Sequence, residues 1–306
     1  MLKKIVKRIL VSIPVLLGVI LLIFWMLNVV PGNPIAIMMK KHIKQDVIDR
    51  MTEYYGLNDP ILVQFGRYIL NAFQGDFGVS YKLNRSVTDL IMDAFPYTVK
   101  LAVAAAVVAW LIGIPAGIIS AIKKNSIIDR LFMGVSLLGV SMPVFWAALL
   151  FQYLFAYKLG WFPVSGADGW KSYVLPAIVL GWSSAGTIAR LTRSNLLETM
   201  EDDYIRTAWS KGLSQAGVIV RHAFKNALLP VITMMAIQVA SLLSGAVITE
   251  TVFAIPGIGR LCVNAISSRD MPLLQGSVVF TTVLIILGNL LADVLYSVID
   301  PRIRND

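Results

Sequence analysis

The sequence predicts an all-α, polytopic membrane protein, and three observations support this fold class. Of its 306 residues, 57% are hydrophobic and only 15% are charged, whereas soluble domains contain about 25% charged residues. Six apolar stretches are long enough to cross about 30 Å of hydrocarbon. Basic residues are distributed unevenly among the segments that connect these stretches. The composition argues against a soluble enzyme and against a disordered chain.

The predicted spans cover approximately residues 9–30, 98–122, 131–157, 174–188, 228–249 and 273–299. The first span follows four basic residues, as a signal peptide would. Its apolar core is too long for one, and a Pro31-Gly32 turn follows it in place of a cleavage site. The fourth span is the weakest because it is short and contains Ser183, Ser184 and Gly186. We expect it to extend to Leu191.

The distribution of Lys and Arg predicts that both chain ends are cytoplasmic. In this orientation the cytoplasmic segments contain 15 basic residues and the two short outer loops contain four. Loop 31–97 is not counted, because loops longer than about 60 residues translocate regardless of charge. The predicted domains are therefore an N-terminal transmembrane helix (1–30), an extracytoplasmic helical loop (31–97) and a five-span core (98–306).

Loop 31–97 has helical periodicity. Apolar residues predict helices over about 43–55, 60–73 and 86–95, with a turn at 75–78. Pro60 suits a first helical turn and Ser86 suits an N-cap. Two compatible interpretations remain open: a helical cap on the membrane domain, or a docking surface for an extracytoplasmic partner.

The segment between spans four and five predicts a helix–glycine–helix unit, called here the basic loop (residues 202–227). Asp202 and Asp203 can cap a first helix, Gly212 permits a sharp turn, and Ser214 can cap a second helix. The apolar face of the second helix is predicted to carry Ala216, Ile219, Val220, Ala223, Phe224 and Ala227. The second helix is expected to end where Pro230 begins span five. The unit is interpreted either as an amphipathic element held by anionic lipid or as a lever that docks on a cytoplasmic protein.

Motifs for catalysis and metal binding are absent from the sequence. It has no G-x-x-x-x-G-K-[ST] nucleotide loop, no G-x-S-x-G and no H-E-x-x-H. Its single cysteine, Cys262, and its two separated histidines make a metal centre improbable. We therefore expect no enzyme activity, no catalytic residues, no metal site and no cofactor in this chain.

The basic loop resembles the signature loop of permease subunits of bacterial ABC importers. That signature reads Glu-Ala-Ala, then Gly, then Leu-Pro; here Ala208, Gly212 and Leu229-Pro230 match. Arg206 and Thr207 replace its first two positions, a form similar to the oligopeptide/dipeptide/nickel branch. Four further stretches resemble that branch: Pro31-Gly32-Asn33-Pro34, Gly75-Asp76-Phe77-Gly78, Glu250-Thr251-Val252-Phe253 with Ile255-Pro256-Gly257-Ile258-Gly259, and Asp300-Pro301-Arg302-Ile303-Arg304.

This resemblance implies a type I ABC importer permease fold in the bacterial plasma (inner) membrane. It implies as partners a second homologous permease, two cytoplasmic ATPase subunits that bind ATP and Mg, an extracytoplasmic binding protein and the lipid bilayer, but no nucleic acid. The implied cargo is peptides, with nickel, glutathione or another small solute as alternatives. A secondary transporter or channel is a more distant alternative, and a membrane enzyme is less favoured still. The residues implied to couple to the ATPase are Ile205, Thr207, Ala208, Trp209, Lys211, Gly212 and Leu213.

A few residues inside the spans are candidates for structural or gating roles. Asp293 is the one acid well inside a predicted span, and an unpaired charge there is costly. We predict that it pairs with Arg190 or Arg193, with a role in gating or substrate contact as the alternative. Pro115 and Pro143 are expected to bend spans two and three, and either ordinary helix packing or hinge motion would account for them.

Overall fold

The computed structural model describes residues 2–29, 52–53, 56 and 58–299. Its helices are α1 (Leu2–Val29), α2 (Ile61–Phe73), α3 (Val87–Ile122), α4 (Ile127–Ser141), α5 (Val144–Phe151, continued by a π-helical turn over Gln152–Lys158), α6 (Lys171–Thr199), α7 (Asp203–Ser210), α8 (Gln215–Val218, continued by a π-helical turn over Ile219–Ala223), α9 (Phe224–Leu243), α10 (Val247–Val252), α11 (Ile258–Ser268) and α12 (Met271–Ile299).

Among the described residues, five helical segments are long and apolar enough to cross a membrane, and the bent pair α4–α5, taken as one span, makes a sixth. The predicted all-α architecture with six spans is therefore confirmed. The bend of 106° falls between Ser141 and Val144, where the sequence predicts a bend at Pro143. Met142 has an extended backbone there, the conformation that a following proline favours.

The core of the bundle is the packing of α3 against α6, and it depends on small residues. A Cβ on Gly113 would lie 2.8 Å from the Ala185 carbonyl oxygen, and one on Gly117 would lie 2.6 Å from that of Ala189. Close backbone approach of this kind is typical of membrane helix pairs. Pro115 lies between these two glycines, in a helix that continues through it. This contact favours the packing interpretation of Pro115.

Three predicted boundaries are wrong. The helix that Ser86 caps does not stop near residue 95 but continues through Pro96 as α3. Span four is longer than predicted, because α6 runs from Lys171 to Thr199, and Gly181 and Gly186 pack closely against α3 and α4. Span five ends at Leu243, since Gly245 has a φ of +107° and turns the chain toward α10.

The prediction of helices in loop 31–97 is confirmed in part. Helix α2 starts directly after Pro60 and ends at Phe73, as expected. Gly75 and Gly78 both have positive φ in the predicted turn. The predicted helix over 43–55 lies largely outside the described residues, as do the Pro31–Pro34 motif and the terminal Asp300–Arg304 motif.

The helical bundle has two ends. The basic-loop end contains Ala121 of α3, Leu196 of α6 and the basic loop, which share one buried cluster. The opposite end, called the Glu250 end, contains the start of α3, the start of α12 and the segment α10–α11. The two ends differ in the polar groups that they bury.

Candidate coupling loop and buried ion pairs

Helix α7 is held to the bundle by its apolar face. Ile205 and Ala208 are buried in a cluster with Ala121, Leu196 and Val218. The Tyr204 hydroxyl lies 2.8 Å from the Asn226 side-chain amide and joins α7 to α9. Asp202 occupies the N-cap position of α7, but its side chain makes no capping hydrogen bond. Packing, more than capping, therefore fixes this helix.

The turn after α7 has the predicted glycine geometry. Gly212 has a φ of +77°, in the left-handed region that favours glycine. Its backbone N–H donates to the Trp209 carbonyl oxygen at 2.9 Å. No described atom outside the neighbouring residues lies within 4 Å of the position that a Cβ on Gly212 would take. The turn is therefore open on the side away from the bundle.

The second half of the basic loop departs from the prediction. Ser214 accepts a hydrogen bond from the Gly217 backbone N–H at 3.3 Å, so the predicted cap is present. The helix then continues through the π-helical turn into α9, and Pro230 does not begin a new helix. The extra residue in a π-helical turn changes the register. Val218 is consequently buried and Val220 is 65% exposed, whereas the periodicity predicts Val220 on the apolar face.

The predicted coupling residues fall into two groups. Ile205 and Ala208 point into the bundle and anchor the loop. The others are exposed and form one outer surface, called the Trp209 surface: Thr207, Trp209, Lys211, Gly212 and Leu213. Trp209 is 40% exposed and Leu213 is 37% exposed. These two apolar side chains are therefore accessible to another molecule beside an open turn.

An ion pair behind the basic loop joins three helices. The Arg193 guanidinium donates to both carboxylate oxygens of Asp129, at 2.7 and 2.8 Å. Ser120 also donates to this carboxylate, and the Asn125 backbone N–H donates at 2.8 Å. The Asp129 side chain is only 5% exposed. The pair therefore holds α3, α4 and α6 together at the basic-loop end.

The predicted partnership of Asp293 with the span-four arginines is wrong. Asp293 pairs with Arg8 of α1, and Arg193 is occupied by Asp129. Arg190 is exposed. Sequence reasoning missed Asp129 because it lies at the first turn of α4, outside the predicted third span. The available signal was that Asp129 follows Ser126 by three residues, in the first turn of a helix that Ser126 caps.

A buried carboxylate organises the opposite end of the bundle. Glu250 is fully buried; it accepts from the Thr98 hydroxyl at 2.8 Å and from the Arg260 backbone N–H at 3.0 Å. Burial raises the pKa of Glu250, and the hydrogen bond from Arg260 opposes that shift. A Cβ on Gly257 would lie 2.5 Å from this carboxyl group. The glycines of the 255–259 stretch are therefore required to make room for Glu250.

A second buried carboxylate lies nearby. Asp270 accepts from the Ser80 hydroxyl at 2.5 Å and from the backbone N–H groups of Tyr81 and Lys82 at 3.2 and 3.3 Å. It thereby fixes the loop before α3 to the start of α12. Its position directly before an apolar helix was a signal for a cap. Among the described residues, no cluster of His, Cys, Asp and Glu could hold a metal ion.

The long apolar helices of the described residues define a polytopic membrane protein. The family model "Binding-protein-dependent transport system inner membrane component" matches residues 113–305, and the N-terminal model of the same component matches residues 1–102. The chain belongs to this family and is a multi-pass permease subunit of an ABC importer of the inner membrane.

Two curated relatives match almost the whole chain. The dipeptide transport system permease protein DppB of Alkalihalophilus pseudofirmus is 40% identical over 99% of this chain and 100% of its own length. The glutathione transport system permease protein GsiC of Escherichia coli is 40% identical over 99% of both chains.

Solved structures show the same fold at low sequence identity. An inward-facing structure of the MetNI methionine ABC transporter aligns with a TM-score of 0.60 at 16% identity, over 69% of this chain and 96% of that chain. A crystal structure of an amino acid ABC transporter with histidines aligns with a TM-score of 0.52 at 15% identity, over 70% of this chain and 94% of that chain. The predicted ABC importer permease fold is confirmed.

Proposed function

We propose that this chain forms one half of the pathway through which an ATP-driven importer moves dipeptides or other short peptides. A second homologous permease supplies the other half, and an extracytoplasmic binding protein delivers the cargo. The names of the two relatives support this class of substrate, because glutathione is itself a tripeptide. Glutathione is accordingly the main alternative cargo, and nickel or another small solute is a weaker one.

We further propose that the basic loop lies in the cytoplasm and transmits the movements of two ATPase subunits to the spans. The observation that carries this assignment is the division of the loop into an anchored face and an exposed face. Ile205 and Ala208 attach the loop to the bundle, while Trp209 and Leu213 remain exposed beside an open glycine turn. A force applied to the Trp209 surface would therefore be transmitted directly to α6 and α9.

Cysteine labelling tests the orientation. The native Cys262 is a poor probe, since burial raises its pKa to about 11 and little reactive thiolate forms at neutral pH. In a Cys262→Ser background, Lys124→Cys and Lys211→Cys should react with a membrane-impermeant maleimide only after the membrane is opened. Labelling of either residue in sealed cells, or in spheroplasts where an outer membrane is present, would overturn the orientation.

Reconstituted uptake tests the cargo. The complex of this chain with its partner permease, ATPase subunits and binding protein is placed in vesicles with ATP on the cytoplasmic face. We expect accumulation of a labelled dipeptide, with excess unlabelled dipeptide as competitor. Accumulation of labelled glutathione, without accumulation of labelled dipeptide, would assign the alternative cargo. Uptake that continues without ATP would contradict the ABC mechanism.

A further inference from the structure

A cleft between α3 and α6 lies at the Glu250 end of the bundle. It has a volume of about 720 Å³. Its walls are almost entirely aliphatic: Ala104, Val107 and Val108 come from α3, and Val174, Ala177 and Ile178 come from α6. Such walls offer hydrophobic contacts and no side-chain hydrogen bonds.

Lys100 lies at this cleft and provides a positive charge. Its ammonium group lies 5.5 Å from the centre of the Tyr97 ring. In the part of the chain that the structure describes, no carboxylate lies within 4.0 Å of it, in contrast to Arg193 and Arg8, which are both paired. Lys100 is exposed, and a lysine near the end of a membrane span reaches the interface, where it attracts anionic lipid headgroups.

The depth of Lys100 matches the edge of the hydrocarbon layer. From Lys100 to the end of α3 at Ile122 the helix rises about 33 Å, at 1.5 Å per residue, close to the hydrocarbon thickness of about 30 Å. Trp170, which is 72% exposed, also borders the cleft, and tryptophan is enriched at this depth. Lys171 lies 6.0 Å from the Trp170 ring. The exposed Asp168 on the preceding loop offsets part of this positive charge.

We propose that the cleft binds a phospholipid with an anionic headgroup, its phosphate at Lys100 and one acyl chain along the aliphatic walls. The apolar lining decides between a lipid and a peptide cargo. A peptide in this cleft would bury backbone N–H and C=O groups without partners, which is unfavourable, whereas an acyl chain has none. Tyr173 also lines the cleft, but its hydroxyl is buried in the core cluster with Leu175 and Phe253 and is not exposed to an occupant of the cleft.

The chain contains a matched control for Lys100. Lys158 lies 5.7 Å from the Tyr153 ring, at the same end of the bundle, and does not line the cleft. Lys100→Gln and Lys158→Gln thus remove the same charge and the same type of ring contact. A third variant, Val107→Trp, places a bulky ring on the wall at a residue that is 43% exposed, so that the fold is expected to tolerate it.

The experiment is a lipid titration of the purified transporter complex, followed by native mass spectrometry. Dioleoylphosphatidylglycerol is the probe, dioleoylphosphatidylcholine tests the headgroup, and glycerol 1-phosphate tests the phosphate without chains. We expect Lys100→Gln to weaken binding of the tightest phosphatidylglycerol by about fivefold relative to Lys158→Gln, and Val107→Trp to displace it. Phosphatidylcholine should bind more weakly, and glycerol 1-phosphate should not compete.

Equal phosphatidylglycerol binding in Lys100→Gln and Lys158→Gln would overturn the proposal. So would full competition by glycerol 1-phosphate, which would identify a phosphate site without an acyl chain. Displacement of the lipid by millimolar dipeptide would identify the cleft as a cargo site and would equally reject the lipid assignment. Melting temperatures of the lipid-free variants, expected to equal that of the native complex, confirm that each comparison uses folded protein.

Discussion

The two ends of the bundle use similar turns in opposite ways. At the basic-loop end, Gly212 has a φ of +77°, and no described atom outside its neighbours approaches the position of an added Cβ within 4 Å. At the Glu250 end, Gly245 has a φ of +107°, but an added Cβ would lie 3.1 Å from the Gly259 backbone nitrogen. Each segment has a left-handed glycine shortly before a short helix, α8 or α10. One turn is closed by the chain itself and the other is open.

This difference separates a structural segment from an interaction surface. At the closed turn, Glu250 accepts hydrogen bonds from Thr98 and from the Arg260 backbone and Phe253 is buried, while Val247 and Ile248 are exposed on the outer side. At the open turn, Trp209 and Leu213 stay exposed although their helix is anchored. Rigidity at the basic-loop end comes instead from the Asp129–Arg193 pair behind the loop. Mutations at the two ends should therefore differ in what they disrupt.

Loss of Arg193 should have the largest effect on stability. Arg193→Met leaves the Asp129 carboxylate buried without its cationic partner, which costs about 3 kcal/mol or more. We expect a lower melting temperature and less assembled complex in the membrane. The double variant Arg193→Met/Asp129→Asn should recover much of the loss, because no buried charge then remains. Equal stability of Arg193→Met and the native protein would show that the Asp129–Arg193 ion pair does not stabilise the basic-loop end.

A methyl group at Gly259 should have the next largest effect. Its Cβ would lie 2.7 Å from the Val247 Cα, a backbone contact that cannot rotate away. Overpacking of this kind costs about 1–3 kcal/mol, measurable as a lower melting temperature in detergent. Gly134→Ala is the control, since no neighbouring atom lies within 4 Å of that site on α4; it should be neutral or stabilising. If the two variants melt alike, the Glu250 end is not closely packed.

Gly212→Leu should cost about 1 kcal/mol or more of local strain yet leave the chain in the membrane. Its main effect should be loss of co-purifying ATPase and of uptake. Ser210→Ala is the control, because the Ser210 hydroxyl only donates to its own helix, at the Arg206 carbonyl oxygen. If the basic loop is instead a lipid-bound element, Arg221→Gln and Lys225→Gln should be the damaging changes and Gly212 should tolerate substitution.

Asp293→Asn should have the smallest effect. The Arg8 side chain is 59% exposed and the Asp293 side chain is 29% exposed; an ion pair with so exposed a partner contributes about 1 kcal/mol or less, and asparagine leaves no charge at this position inside the span. We expect nearly normal amounts of complex and nearly normal uptake. Uptake that stops while assembly stays normal would instead indicate a role for Asp293 in the transport pathway.

The sequence predicted the features that depend on local pattern. Six spans followed from apolar length, the caps at Ser86 and Ser214 from residue type, and the left-handed Gly212 from its position between two helices. Long-range partners were not predictable, since no local pattern indicates which helices pack together. Asp293 was thus assigned to arginines at a similar depth, while Arg193 pairs with Asp129 across 64 residues of sequence.

The sequence also did not predict the helix register in the second half of the basic loop. The π-helical turn over Ile219–Ala223 changes the periodicity by one residue, which exposes Val220 and buries Val218. Regular 3.6-residue periodicity cannot anticipate such an insertion. The sequence also predicts a new helix start at Pro230, whereas the helical segment from Gln215 to Leu243 runs through that proline.

Site-specific photo-crosslinking tests most directly whether the Trp209 surface binds an ATPase. A benzoylphenylalanine is placed at Leu213 in the assembled complex, and at Leu83 of the Glu250 end as the control. The two leucines are 37% and 50% exposed, so both positions are accessible. We expect Leu213 to give a cross-link to the ATPase subunit and Leu83 to give none. Cross-links from Leu213 to lipid alone, in complexes that hydrolyse ATP and transport cargo normally, would contradict the account.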